Sequence, residues 1–100
     1  MIGLYDVSNS VVENVKKYLT EMLPEYNLVR VVRKSSHPLD SYLYMVVARR
    51  NIREEYKRLG AGEFAVWTCW NESTQCLNYG HYDIKTETEA MELVREYFYN

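Results

Sequence analysis

The 100-residue chain predicts an α+β fold. Its expected core is a four-stranded antiparallel sheet with two amphipathic helices on one face, in the order α-β-β-(short α)-β-β-α. Three observations carry this. Segments near each end repeat apolar residues at helical spacing. Four short runs between them are rich in β-branched and aromatic residues and bounded by turn residues. The loop lengths and hairpin-like order of those runs favour antiparallel pairing.

The first helix is read from "SVVENVKKYLTEMLPEY". Val11, Val15, Tyr18 and Met22 follow its spacing, and Val12, Leu19 and Leu23 widen the stripe. Ser10 with Glu13 matches a capping box, which places the start near Val11. Pro24 ends the helix, because the residue before proline disfavours helical geometry. "NLVRVVRK" and "SYLYMVVARR" follow as strands joined by the loop "SSHPLD". "NIREEYKRLGAG" predicts a short helix: Asn51 can cap it, Ile52, Tyr56 and Leu59 share a side, and Gly60 can end it. "EFAVWTCW" and "QCLNYGHYDI" are the third and fourth strands, with "NEST" as a polar turn between them. The last helix is "TETEAMELVREYFYN". Thr86 and Glu89 form a second capping box, Ala90, Leu93, Val94, Tyr97 and Phe98 form its apolar side, and the acidic first turn suits the helix dipole.

One hundred residues fit one domain, residues 1–100, with enough chain for a single core. A chain 47% hydrophobic and 26% charged reads as a soluble globular domain. No apolar run approaches the roughly 20 residues of a membrane span. The amino terminus lacks a secretory pattern, so a cytoplasmic location is expected, with both cysteines reduced. Ten tyrosines stand out against two tryptophans and two phenylalanines. Their apolar bodies and polar tips suit both the edge of a core and the centre of a contact surface.

The segment "EFAVWTCWNESTQCLNYGHYDI" gathers the residue types of several chemistries. Cys69, Cys76 and His81 are spaced C-x6-C-x4-H, with His37 as a conceivable fourth ligand. Structural zinc uses tighter pairs on turns, so no metal is expected. A disulfide needs Cys69 opposite Cys76, which holds in one hairpin register only, and the sequence leaves that register open. A Cys nucleophile with His81 and Asp83 needs a thiolate-favouring setting, such as a helix amino terminus, and neither cysteine has one. No cofactor and no catalysis are therefore expected. Gly80 reads as a packing device, a place for Trp67 to lie over the backbone.

Charge is uneven. Residues 24–58 hold eight Arg and Lys against four acids, and residues 59–100 hold two against seven. Arg49, Arg50, Arg53 and Lys57, with tyrosines nearby, give an alternative nucleic-acid-binding surface. Glu54 and Glu55 interrupt that cluster and suit a solvated helical face instead. Glu87, Glu89, Glu92 and Glu96 could face a basic protein surface.

The run "VWTCWNESTQCLNYGHYDI" followed by "TETEAMELVREYF" resembles small proteins of phages and mobile elements of Gram-positive bacteria. In these a V-W-T-x-x-N hairpin leads to a G-H-Y strand and a terminal helix. The resemblance spans roughly the last forty residues and implies no activity. Size, acidity and layered layout are also similar to anti-CRISPR and other anti-defence proteins, which inhibit by occupying a partner's surface. The resulting expectation is a non-enzymatic protein-binding module of that inhibitory type. Its partner would be a host or bacterial protein, such as a nucleic-acid-handling effector, with a homodimer as a further option. Tyr42, Tyr44, Trp70, Tyr79 and His81 would be anchors on an uncovered sheet face, and Glu89, Glu92 and Glu96 would be steering charges.

Overall fold

The structure is a computed structural model that describes residues 5–33 and 44–99. Helix α1 spans Asn9–Met22. It starts two residues before the expected position, because the Ser8 carbonyl accepts from the amides of Val11 (3.1 Å) and Val12 (3.2 Å). The capping box does not form; Ser10 Oγ lies 3.0 Å from Ser8 Oγ instead. Val11, Val15 and Leu19 are its buried stripe, and Met22, expected in that stripe, is exposed. The helix ends at Leu23, before Pro24, as the proline requires.

Four strands make the expected antiparallel meander: β2 (Tyr26–Arg33), β3 (Tyr44–Arg50), β4 (Phe64–Asn71) and β5 (Cys76–Ile84). The two-residue β1 (Tyr5–Asp6) adds to the β2 side, so the sheet order is β1-β2-β3-β4-β5. Helix α2 (Glu54–Arg58) links β3 to β4. It buries nothing: Tyr56 and Leu59, expected to share an apolar side, are both exposed. Gly60, at φ 95°, ends it as expected. Helix α3 (Glu87–Tyr99) closes the chain. Its Thr86 cap forms, with the Glu89 amide donating to Thr86 Oγ1 at 3.1 Å.

The two long helices do not share a face. Helix α1 packs with Val31, Tyr44, Val46, Ala48, Ala65, Trp67 and Trp70. Helix α3 packs with Val32, Met45, Val47, Phe64 and Val66, through Ala90, Met91 and Val94. These two sets alternate along β2 and β3, and α1 and α3 therefore cover opposite sides of the sheet. The expectation of two helices on one face with an open aromatic reverse is overturned. The reason lies in the central strands. Residues 44–48 and 64–67 are buried without a break. A strand buried on both faces needs cover on both, and one helix supplies each.

Candidate functional site

With a helix on each face, β5 forms a long edge of the sheet. Among the described residues β5 pairs only with β4. Its register with β4 matches Trp70 to Leu77, Cys69 to Asn78 and Asn71 to Cys76. The two cysteines are thus one diagonal step apart, not opposite, and both are free and half-buried. Cys76 Sγ lies 2.9 Å from Thr74 Oγ1 and accepts from Asn78 Nδ2 at 3.6 Å.

Register shifts bend the hairpin. One falls between β3 and β4, where Tyr44 faces Trp70 but Val46 faces Trp67. That extra residue turns both tryptophans to the α1 side, as bulges do. A second falls between Phe64 and Val66, whose partners are Ile84 and His81. Around it, Tyr79 (φ 59°) and Asp83 (φ 58°) take left-handed backbone, which is uncommon for a bulky aromatic.

The first bulge and the glycine together build an aromatic stack. Tyr26 and Trp67 meet edge to face at 5.4 Å, and Trp67 and Tyr82 at 5.7 Å. Trp67 Nε1 donates to Tyr82 Oη at 3.2 Å. A Cβ at Gly80 would lie 2.6 Å from Tyr82 Oη and 2.8 Å from Trp67 Nε1, so Gly80 is the packing device its sequence context suggests. Burial pushes the Tyr26 phenol above its ordinary range, against the nearby Arg50 charge. The Tyr44 phenol is raised too, first by burial and then by the Glu72 carboxylate, against Arg33.

The expected anchors scatter. Trp70 is fully enclosed, with Tyr18 edge-on at 5.7 Å, and Tyr44 is buried in the same core. Neither is an exposed anchor, because α1 covers the face that carries them. Tyr42 and His37 lie outside the described residues. Tyr79 is 75% exposed on β5. His81, half-buried on the same strand, is hydrogen-bonded through Nε2 to Tyr97 Oη at 3.2 Å. Glu89, Glu92 and Glu96 are exposed on α3. Sequence reasoning missed Tyr82 and Tyr97 as surface residues; they are 52% and 47% exposed. Tyr97 has a readable signal. At about 100° per residue it falls at the margin of the Ala90–Val94 stripe, not in its centre.

The other chemistries do not assemble. His81 turns to Tyr97, while left-handed Asp83 turns its carboxylate to Arg50 at 3.3 Å, so no Cys-His-Asp relay forms. Among the described residues no group of three or more His, Cys, Asp or Glu is placed to hold a metal. In the basic segment Arg49 meets Glu63 at 2.9 Å, Lys57 meets Glu54 and Glu63 at 3.7 Å each, and Arg53 meets Glu55 at 3.5 Å. Arg50 is held by Asp83 and lies over the Tyr26 ring at 5.8 Å. Each cation of the nucleic-acid alternative therefore has its own carboxylate, which weakens the field a phosphate backbone would meet. No helix among the described residues is long and apolar enough to cross a membrane.

Residues 10–88, from the start of α1 through the whole β2–β5 meander, match the family described as large polyvalent protein associated domain 24. The chain belongs to that family. The family is associated with polyvalent proteins, a mobile-element context that agrees with the resemblance drawn from the hairpin. Most of α3, including Glu89, Glu92, Glu96 and Tyr97, lies beyond the matched stretch. No curated protein and no solved structure matches the chain.

Proposed function

We propose that this chain is a non-enzymatic protein-binding module that docks a partner along β5. One observation carries the reading. A helix covers each sheet face, yet exposed aromatic rings gather at β5, which among the described residues pairs on one side only: Tyr79 and Tyr82 on it, and Tyr97 beside it. Tyrosine is enriched in contact surfaces because it buries a large rigid area while keeping its hydroxyl bonded. The mobile-element family and the acidic composition support a more specific role, an inhibitor of anti-CRISPR or anti-defence type. Such an inhibitor would occlude a surface of a host or bacterial nucleic-acid-handling protein.

The test is affinity capture from a Gram-positive bacterial lysate with three forms of the protein. Wild type and a Tyr56→Ser control are expected to recover the same stoichiometric partner. A Tyr79→Ser/Tyr82→Ser variant is expected to lose it while keeping its fold by circular dichroism. Absence of any stoichiometric partner, or equal recovery by the β5 variant, would overturn the reading.

A further inference from the structure

We infer that the opposite side of the sheet takes an extended, acidic peptide segment, which adds as a strand beside β2 in the groove along α1. This site lies across the sheet from β5 and does not rest on the reading given for that strand. Three observations lead to it.

The first is an unfinished edge. β1 pairs with β2 only at Tyr5 with Arg33 and Asp6 with Val32. The chain then leaves the sheet for α1, whose first amides bond to the Ser8 carbonyl. At the other end of β2 the Tyr26 amide donates to the Leu23 carbonyl at 3.0 Å. Between these points, residues 27–31 have no strand on their outer side among the described residues. An open row of main-chain donors and acceptors is a template for another strand. β1 shows that this edge accepts one in antiparallel pairing. β2 has no left-handed residue, whereas β5 is interrupted by Tyr79 and Asp83. Its irregularity is the register shift between Leu28 and Arg30.

The second is the groove beside that edge. Val12, Lys16 and Thr20 lie four apart along one flank of α1 and form its helical wall. Two hollows of about 490 and 300 Å³ follow one another along it, with Lys16 and Leu28 common to both. Its apolar members are incompletely covered: Val7, Val12 and Leu28 are half-buried, and Val29 is 37% exposed. An added strand sends alternate side chains to this side of the sheet, and apolar ones there would complete the burial.

The third is charge. The cations of the groove are Lys16 and Arg30, both exposed. Lys16 meets Glu13 only at 3.8 Å, in an exposed pair of the kind that contributes little. Among the described residues Arg30 makes no ion pair. Carboxylates on an incoming strand would therefore find two available partners. The same charges disfavour a second copy of the chain, because two β2 edges laid together would bring like cations close.

The experiment titrates isotope-labelled protein with a short peptide alternating Val and Glu, with its Val and Lys counterpart, and with a backbone N-methylated form of the acidic peptide. Only the unmodified acidic peptide is expected to bind, with amide shifts within residues 27–31 and 12–20. A Lys16→Glu/Arg30→Glu variant, both sites being exposed, is expected to keep its fold by circular dichroism and to bind about tenfold more weakly. The Tyr79→Ser/Tyr82→Ser variant is expected to bind as wild type does. No binding by the acidic peptide at its solubility limit, equal binding by either counterpart, or unchanged affinity in the charge-reversed protein would overturn the inference. So would shifts centred on residues 77–84, or shifts at 27–31 that grow with protein concentration alone, which would put a second copy on this edge. Because the peptide is read at β2 and the captured partner at β5, either result can fail while the other stands.

Discussion

Replacing Gly80 with alanine should cost the fold about 2 kcal/mol, and the structure says where the cost arises. The new methyl would lie 2.6 Å from Tyr82 Oη and 2.8 Å from Trp67 Nε1. Trp67 is enclosed between Tyr26 and Tyr82 and cannot retreat. Tyr82 is half exposed, so its ring is what moves. Forcing an extra methyl into such a site costs about 1–3 kcal/mol. Moving Tyr82 also breaks its 3.2 Å bond from Trp67 Nε1, and a buried indole N–H left without an acceptor costs about 1 kcal/mol or more. Against this, alanine restricts the unfolded chain and returns about 0.4–1 kcal/mol. Thermal unfolding should show a fall in Tm of roughly 8–16 °C for a domain of this size. The decisive comparison is a double-mutant cycle with Tyr82→Ala. Removing the ring that must move should shrink the Gly80→Ala penalty by about 1 kcal/mol. An identical penalty in both backgrounds, or a neutral Gly80→Ala, would refute the packing argument.

Gly62→Ala should be worse: its Cβ would run into the backbone of Asp83 and Ile84, which cannot rotate aside. A loss of about 3 kcal/mol or more is expected, visible as lost near-ultraviolet circular dichroism or insoluble expression. Tyr79→Gly should instead stabilise the fold by up to about 1 kcal/mol in urea unfolding, since glycine adopts the φ of 59° freely. The same change should abolish partner capture. Stability should also fall in alkali. The folded-state phenols of Tyr26 and Tyr44 titrate above their unfolded values. Their contribution is complete below the ordinary tyrosine range near pH 10 and is lost as pH rises from there through the folded-state values. Tyr26→Phe should flatten that decline in Tm against pH, and an unchanged slope would count against burial as its cause. Glu63→Gln should cost roughly 1 kcal/mol in low salt and less in high salt, because one carboxylate serves both Arg49 and Lys57.

The candidate site was only partly legible. Tyr79 and the acids Glu89, Glu92 and Glu96 of α3 are exposed as expected, because residue type and helical periodicity mark them locally. Trp70 and Tyr44 were misplaced because exposure is not a local property. Tyr44 through Ala48 and Phe64 through Trp67 carried the corrective signal: continuous apolar runs, not alternating ones, mark strands buried on both sides. The bulges were not readable. A one-residue register change turns every later side chain over, and nothing in "VWTCWNEST" marks where the extra residue sits.

The sequence alone determined the order of the elements, where helix α1 ends, the Thr86 cap and the role of Gly80. Each follows from short-range rules: backbone sterics at proline, a hydroxyl three residues from an amide, a missing Cβ beside a large ring. The tertiary structure alone decided which face each helix covers, that the cysteines are diagonal, and that the exposed rings collect at β5. These depend on register and on competition between distant segments for the same apolar surface. Residues thirty or more positions apart settle that competition together, as Val15 and Trp70 do in one cluster and Val32 and Val94 in the other, and no local window contains both.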